Sequence, residues 1–472
     1  MRGNRLWAGV HCPALALDAI EQVVADDGPA AVHEQLLGQA RIVQANHPAL
    51  EQGVRPGQRL AAALAILPCL HSHARNQRAE RQLLEQVALV GYDFSHQVAL
   101  APPDGIVLEV AGSRRLRGGI SALLETLTEQ LHHRGIAVRL GLAPVPAAAR
   151  LLSRLGRRAP TLAELHRQLA GLSIDRLALE PKLADLLSGC GVKTVAELMK
   201  LPTAERARRF GPSLNRHLEQ IHGCLETPLA HWMPAQRFSL RLELPTASDE
   251  VSALVFVFRR ILGRLGDWLR IRDQALTGLN VSLEREDGGS PLSFRVSLAR
   301  PGFDGERLLE LIGLKLEQIH LPAAVDAIAV KADSTDQHRP PQADLFSAHN
   351  RADAWPALLD RLGARLGEDG LAGLATRSDH RPERSWSWVS PGDSSACQEQ
   401  RPRPTWLLPE PRPCKPEQIR LEEGPERIET GWWDGQDCRR DYWIARDRQQ
   451  RRLWVFREYK PRTGWFVHGI FD

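Results

Sequence analysis

Glycines in a turn between two short helical segments are suited to binding phosphate. In the stretch 181–198, Gly189 and Gly191 separate the two segments, and Lys193 and Thr194 begin the second one. Glycines allow backbone N–H groups to approach a phosphate closely at a helix N-terminus, and a lysine adds charge without reading base sequence. The stretch therefore predicts a helix-hairpin-helix that binds the DNA backbone, although a helical hairpin with no ligand fits the same pattern.

A second glycine turn and two arginine clusters extend this prediction. Gly211 separates the helical patterns 204–210 and 213–222, so it is assigned to the same DNA-binding surface. The arginines are Arg150, Arg154, Arg157 and Arg158 in one cluster, and Arg206, Arg208, Arg209 and Arg216 in the other. Such clusters are typical both of nucleic-acid binding and of solvated helix faces. A net charge of +4 is too small to decide between the two.

The composition indicates a multidomain globular protein. The 472 residues leave room for about three or four domains. The seven cysteines include no C-x-x-C pair, which argues against a zinc site or a disulfide framework and favours the reducing cytoplasm. No metal site or cofactor is predicted, and no segment is long enough to cross a membrane. His11 and Pro13 interrupt the first apolar stretch, so it is predicted to be a core strand rather than a signal peptide.

Strands alternate with helices over the first 170 residues, which predicts an α/β domain. The predicted strands are 6–10, 42–45, 105–110 and 139–143, and the predicted helices are 15–25, 78–90, 119–133 and 146–155. A βαββαβ pattern follows over 237–331, and the apolar residues of its first helix keep the spacing of one buried face. This order of elements predicts a ferredoxin-like α+β fold.

The segment from Asp104 to Val110 resembles a motif of the Y-family, or translesion, DNA polymerases. Its sequence, Asp-Gly-Ile-Val-Leu-Glu-Val, is similar to the Asp-Glu-Ala-Tyr-Leu-Asp-Val of the family's palm. The resemblance implies palm and fingers over 1–170, a helix-hairpin-helix thumb over 171–232 and a little finger over 233–332. In such a palm, carboxylates hold two metal ions for phosphoryl transfer. Asp104 lies at the position of the first carboxylate, and Gly105 replaces the adjacent Glu.

Other positions of the family's catalytic machinery also differ. His11-Cys12-Pro13 lies where the family has Asp-x-Asp, and neither imidazole nor proline replaces the carboxylate oxygens that Mg²⁺ prefers. This chain has His47 and Leu50 where the family has a Tyr and an Arg in the fingers. At about the position of Pro146, the family has a palm Lys. These losses predict a scaffold without catalytic residues, in which Asp104 is a vestigial turn residue. A surviving single-metal role for Asp104 is the alternative.

The stretch 333–351 lacks hydrophobic periodicity and is predicted to be an exposed linker. Its Gln-x-x-Leu-Phe motif resembles the peptide by which bacterial DNA-handling proteins bind the replication sliding clamp, the beta subunit of DNA polymerase III. Leu345 and Phe346 supply adjacent apolar anchors, and Gln342 supplies hydrogen bonds at the rim of a pocket. Asp344 completes the predicted clamp-binding set. In the alternative, the Leu-Phe pair packs on the nearest domain.

Aromatic residues are concentrated near the end of the C-terminal region, 352–472. A helix is predicted over 354–366, an irregular proline-rich stretch over 379–416, and a small antiparallel meander from 442–445, 453–457 and 465–471. Most of the aromatic residues are expected to form the core of this small domain. The final Trp-x-x-His-Gly-x-Phe motif is assigned to partner binding, through Trp465, Phe466, His468, Gly469 and Phe471.

The whole layout resembles the ImuB proteins, the non-catalytic Y-family members of bacterial mutagenesis cassettes. This resemblance implies an adaptor in damage-induced (SOS) translesion DNA synthesis, which binds DNA and the sliding clamp. It also implies two further partners, a RecA-like accessory protein (ImuA) and an error-prone DnaE-type polymerase that performs the synthesis. Two alternatives stay open: an active Y-family translesion polymerase, and a structural DNA-binding module that is independent of the clamp.

Overall fold

A computed structural model describes residues 5–21, 28–177, 179–337, 354–367, 370–391, 402–460 and 463–472. The chain divides into two compact units, an N-terminal unit, Met1–Ser347, and a C-terminal unit, Ala348–Asp472. The cysteines within the described ranges are free thiols. No helix in these ranges has both the length and the apolar composition needed to cross a bilayer.

The N-terminal unit contains strands and helices in the following order. They are β1 (Trp7–His11), α1 (Leu15–Glu21), β2 (Ala30–Leu36), β3 (Gln39–Ala45), α2 (His47–Glu51), α3 (Leu60–Ile66), β4 (His71–Ala74), α4 (Gln77–Tyr92), β5 (Val98–Ala101), β6 (Gly105–Glu109), α5 (Ile120–His132), β7 (Arg139–Ala143), α6 (Pro146–Leu155), α7 (Leu162–Ala170), α8 (Pro181–Gly189), α9 (Val195–Lys200), α10 (Thr203–Phe210), α11 (Pro212–His222), β8 (Ser239–Ser248), α12 (Val251–Arg272), β9 (Gln274–Arg285), β10 (Leu292–Gly302), α13 (Gly305–Leu316) and β11 (Val325–Gln337).

A four-stranded antiparallel sheet, in the order β5-β6-β1-β7, forms the palm-like core of this unit. Helix α6 packs directly on the central strand β1 and the edge strand β7. A Cβ atom at Gly9 or Gly141 would come closer than 3.0 Å to the backbone of α6. Both strands therefore need glycine at these positions for the helix to lie this close to the sheet. A separate sheet, β3-β2-β4, holds strand β2, which the sequence analysis missed.

Helices α8 to α11 form two successive helical hairpins that share a core with the palm-like sheet. Leu187, Val195, Phe210 and Leu214 from these helices lie in the same buried cluster as Trp7 of β1. This common core holds the predicted DNA-binding turns in place relative to the sheet.

The βαββαβ unit from β8 to β11 forms an antiparallel sheet in the order β10-β9-β11-β8, with α12 and α13 as its helices. The predicted βαββαβ order of elements is confirmed. Strand β11 runs to Gln337, so residues 333–337 belong to the sheet and the prediction that the linker begins at 333 is wrong. The long pairing of β11 with β9 extends the strand beyond its apolar residues.

The C-terminal unit is built on a five-stranded antiparallel sheet. Its elements are α14 (Ala354–Leu366), β12 (Gly373–Thr376), β13 (Trp386–Val389), β14 (Trp406–Pro413), β15 (Ile419–Thr430), β16 (Cys438–Asp447), β17 (Arg452–Lys460) and β18 (Gly464–Ile470). The sheet order is β14-β18-β17-β16-β15, and β12 pairs with β13. The predicted meander is confirmed. The expectation of irregular structure over 379–416 is wrong, because β13 and the proline-rich β14 lie there. Strand β14 is at the sheet edge, where proline is tolerated.

Together the two units combine α/β and α+β architecture with helical hairpins and a small aromatic domain. The fold class predicted from the sequence is confirmed.

Candidate metal site and nucleic-acid interface

Asp104 precedes β6 and lies beside the end of β1. The backbone N–H of Cys12 donates a 2.8 Å hydrogen bond to the backbone carbonyl of Asp104, which fixes this position. The Asp104 carboxylate faces α6. Arg154 Nη2 donates to both of its oxygens, at 2.9 and 3.0 Å. About a quarter of each side chain is exposed, so the pair is partly shielded from water.

His11, the last residue of β1, and Cys12, which follows it, carry no negative charge beside this ion pair. His11 Nδ1 lies 3.6 Å from Asp104 Oδ2. Burial lowers the pKa of His11, and this effect outweighs the attraction of Asp104, which raises it. Burial also raises the pKa of the Cys12 thiol to about 12. At neutral pH, we therefore expect a neutral imidazole at His11, where the family resemblance places the first carboxylate of Asp-x-Asp, and a neutral thiol at the residue after it. Pro13 lies at the position of the second carboxylate.

Gly105 offers no room for a side chain. It pairs with His11 across the sheet, and a Cβ atom at residue 105 would lie 2.5 Å from the Val10 carbonyl oxygen. The obstructing atom belongs to a central strand that pairs with β6 on one side and β7 on the other, so it cannot move aside locally. A glutamate at residue 105 would not fit this backbone.

The candidate site thus holds one carboxylate and a surplus of cations. Arg150 lies one turn of α6 before Arg154 and donates to the Pro102 carbonyl, so half of the first arginine cluster is engaged around Asp104. Burial and the charge of Arg154 lower the pKa of Arg150. Within the described ranges, no three His, Cys, Asp or Glu side chains are grouped so that they could hold a metal ion.

The other positions assigned to nucleotide handling are dispersed. His47 begins α2 at the surface, where its Nδ1 lies 3.5 Å from Glu51. Leu50 is in the same short helix, and Pro146 is the first residue of α6. None of these side chains is a cation that faces Asp104.

The first predicted phosphate-binding turn is occupied by a carboxylate of its own chain. Gly191 has a φ of +76°, which favours glycine. The backbone N–H groups of Lys193 and Thr194 donate to Glu197 Oε2 at 2.8 and 3.2 Å. These hydrogen bonds lower the pKa of Glu197. The Thr194-x-x-Glu197 spacing is that of a capping box, a signal that could have revealed this contact from the sequence.

The second hairpin has the more open turn. Gly211 has a φ of +87°, and no side chain caps the N-terminus of α11, which begins directly after it. Arg208, Arg209 and Arg216 are exposed near this turn. Arg206 differs from them, because it is buried and its Nε donates to Asn215 Oδ1 at 3.0 Å. The expectation that Arg206 belongs to an exposed basic surface is wrong.

Four of the five residues assigned to partner binding near the C-terminus lie on β18, and Phe471 follows it. His468 is buried, and 2.9 Å separates its Nδ1 from the Tyr442 hydroxyl. Burial lowers its pKa to about 4. Gly469 is buried against Pro404, while Trp465, Phe466 and Phe471 are half-buried.

His468 and Gly469 are thus part of the domain core, and the partner-binding role of the five residues stays a prediction. The clamp-binding set, Gln342, Asp344, Leu345 and Phe346, lies outside the described residues.

Comparison with known proteins places this geometry in context. Residues 18–154 match the model of the IMS: impB/mucB/samB family. Over 460 residues, the chain is 29% identical to Protein ImuB of Caulobacter vibrioides (strain NA1000 / CB15N), and the match covers 89% of this chain and 100% of that protein. The predicted resemblance to ImuB is confirmed. The region matched by the family model begins after His11, Cys12 and Pro13, includes Asp104, and ends at Arg154.

More distant similarity extends to polymerases. DNA polymerase IV of Shewanella sp. (strain ANA-3) is 23% identical over 227 residues, which are 47% of this chain and 63% of that protein. The solved structure of DinB from Sulfolobus solfataricus matches with a TM-score of 0.40 at 17% identity, and the match covers 70% of this chain and 98% of that chain. An insertion ternary complex of Dbh DNA polymerase gives 0.42 at 16% identity, with the same two coverages. The chain is thus similar to Protein ImuB over most of its length, and its residues 18–154 match the impB/mucB/samB family model.

Proposed function

We propose that this protein is a non-catalytic adaptor in damage-induced translesion DNA synthesis. The observation that carries the proposal is the Asp104–Arg154 ion pair at the position of the metal site. Two-metal phosphoryl transfer needs several carboxylates around the ions. Here the Asp104 carboxylate has a guanidinium on one side and a neutral histidine on the other.

The charge and shape of the site support the loss of polymerase chemistry. A divalent cation would have to displace Arg154 from both oxygens of Asp104 and would then find no second carboxylate on β1 or at residue 105. Mg²⁺ binds through hard oxygen ligands, so the imidazole of His11 is a poor substitute for a carboxylate and the side chain of Pro13 offers no ligand atom.

DNA binding is the second part of the proposal, and the second hairpin is its strongest support. The uncapped N-terminus of α11 carries the positive end of a helix dipole, and Arg208, Arg209 and Arg216 add mobile charges beside it. Such contacts hold the DNA backbone without reading its sequence. At the first hairpin, phosphate would have to compete with Glu197 for the N–H groups of Lys193 and Thr194.

The clamp and protein partners complete the adaptor role. Gln342, Leu345 and Phe346 supply a peptide suited to the sliding clamp. The similarity to Protein ImuB supports recruitment of an ImuA-type accessory protein and a DnaE-type polymerase. An active polymerase is the alternative, and the similarity of about half the chain to DNA polymerase IV favours it.

Primer extension distinguishes the adaptor from a polymerase. The purified chain is tested on damaged and undamaged templates with Mg²⁺ or Mn²⁺, beside Asp104→Ala. We expect no extension by either protein. Extension that disappears in Asp104→Ala would mean that Asp104 does hold a catalytic metal, and the adaptor proposal would fail.

Clamp binding is tested by replacing Leu345 and Phe346 with Ala. The double variant should lose affinity for the purified clamp and keep its affinity for primer-template DNA, because the apolar anchors are removed and the hairpins are unchanged. A variant with Ala at Gln337 and His338 serves as the matched control, since it alters the same region outside the motif. Clamp binding that survives the loss of Leu345 and Phe346 would favour the clamp-independent DNA-binding module.

A further inference from the structure

Arg264 is a buried arginine that forms no ion pair with an acidic residue of the described ranges. It lies on α12, where only 6% of the residue is exposed. Within the described ranges, its Nε and Nη1 atoms have no hydrogen-bond partner. Burial and the nearby charge of Arg260 lower its pKa to about 10, so it stays charged at neutral pH. A buried cation without a partner is unfavourable, which indicates that a partner is supplied from elsewhere.

Arg264 lines a cavity of about 320 Å³ inside the N-terminal unit. The walls come from α1, β4 and α4 on one side and from β8 and α12 of the ferredoxin-like domain on the other. Ser72, Asn76, Arg78, Gln82 and Arg241 are among the lining residues. A volume of this order is at the lower end of the range for small-molecule sites.

The only carboxylate on the described cavity wall, Glu243, is already neutralised. It accepts hydrogen bonds from Arg241 Nη1 and, at 3.1 Å, from Asn76 Nδ2. Arg78 Nη1 lies 4.0 Å from it as well. These contacts lower the pKa of Glu243, with Arg241 as the largest cause. Glu243 is therefore committed to Arg241, which also donates to both carboxylate oxygens of Glu284, at 2.9 and 2.7 Å. Even with Glu284 counted, three arginines face two glutamates, which leaves this wall positive.

The N-terminus of α4 adds to this positive potential. Asn76 caps the helix by accepting from the N–H groups of Arg78 and Ala79, and all three residues line the cavity. The positive end of the helix dipole thus lies at the same wall as Arg78. Helix N-termini and arginines together are the usual surroundings of a bound phosphate.

We propose that this cavity binds a phosphate group, with Arg264 as its buried counterion. The phosphate comes either from a small free ligand, such as inorganic phosphate or a nucleotide, or from the DNA backbone. The proposal does not depend on the adaptor function, because a free phosphate would bind here whether or not the protein binds DNA or the clamp.

The test compares the full-length protein with Arg264→Met, which keeps most of the side-chain volume and removes the charge. Isothermal titration calorimetry is run with inorganic phosphate and with deoxyadenosine monophosphate, and fluorescence anisotropy with primer-template DNA, all at matched ionic strength. The matched control is Arg259→Met, on the same helix but exposed and outside the cavity lining. We expect the wild type and Arg259→Met to bind one of these phosphate sources at least about tenfold more tightly than Arg264→Met does.

The pattern of loss identifies the source of the phosphate. Weaker binding of inorganic phosphate or nucleotide alone assigns the cavity to a free ligand. Weaker binding of DNA by Arg264→Met assigns the cavity to the DNA backbone. The dependence of the DNA affinity on salt concentration should then decrease by the amount expected for about one phosphate contact. Equal binding of all three probes by wild type and Arg264→Met would overturn the proposal.

A second variant keeps the test decisive if Arg264→Met does not fold. Ser72→Asp places a carboxylate on the cavity wall, where it can serve as an internal partner for Arg264. We expect this variant to lose phosphate binding by a similar factor and to unfold at a higher temperature than the wild type, because the buried charge is then paired. Phosphate binding that is unchanged in Ser72→Asp would also overturn the proposal.

Discussion

Replacement of Gly105 by alanine should destabilise the palm-like sheet, although the substitution adds a single methyl group. The new Cβ atom would lie 2.5 Å from the Val10 carbonyl oxygen, whereas real Cβ contacts essentially never fall below 3.0 Å. Strands β1 and β6 would have to separate by at least about half an ångström at this point. Such overpacking costs about 1–3 kcal/mol of unfolding free energy.

Two measurements check this magnitude. Urea unfolding gives the loss of stability, and hydrogen–deuterium exchange of the peptides that contain β1 and β6 shows whether the loss is local to these strands. Gly112→Ala is the matched control, because its Cβ atom would meet only the Glu109 carboxylate, at 3.6 Å. That variant should be neutral or stabilised by about 0.5 kcal/mol through the lower entropy of its unfolded chain.

A Gly105→Ala protein as stable as the wild type, with unchanged exchange in β1 and β6, would refute the reasoning. The sheet would then be able to open at this point, and a glutamate at residue 105 could be accommodated after all. The absence of a carboxylate there would no longer follow from the packing of the strands.

Three further predictions address the hairpins and the C-terminal core. Glu197→Gln should bind primer-template DNA about two- to fivefold more tightly at low salt, because a negative charge leaves the first turn. Anisotropy measures this, and the exposed Glu205→Gln should change affinity less. Arg206→Met should lose about 2–4 kcal/mol of stability in urea unfolding, since buried acceptors lose their donor, while exposed Arg208→Met should lose less than about 0.5. The folded-state pKa of His468, about 4, lies below its unfolded value of 6.5, so stability is fully present above pH 6.5 and decreases as pH falls toward 4, by up to about 3 kcal/mol. His468→Phe should remove most of this pH dependence.

The elements that could be predicted from sequence are those with strong local signals. Helix α6 has the predicted bounds, 146–155, because Pro146 is favoured at the first helical position and the apolar spacing ends at Leu155. Strand β2 was missed, since its Val-His-Glu-Gln sequence has little apolar content and the strand depends on pairing with β3 and β4. Strand assignment in such a stretch is decided by tertiary contacts rather than by propensity.

The sequence predicts which carboxylates are missing from the candidate site, but it does not predict which side chain neutralises the one that remains. The absence of carboxylates at residues 11 to 13 and 105 can be read directly from the sequence. That Arg154 neutralises Asp104 depends on the approach of α6 to the sheet, which two distant glycines permit. The sequence likewise does not predict Arg264, because only the three-dimensional structure reveals that its Nε and Nη1 atoms are buried without a hydrogen-bond partner among the described residues.

In the Asp104–Arg154 pair, the cation that neutralises the carboxylate belongs to the same chain and does not come from solution. A metal-dependent site changes its net charge whenever the supply of divalent cations rises or falls. Arg154 is covalently part of the chain, so its effective concentration beside Asp104 is constant. If Asp104 holds no metal ion, as the adaptor proposal implies, we expect the core to assemble in the same form at low and at high magnesium concentration and to be unaffected by chelating agents.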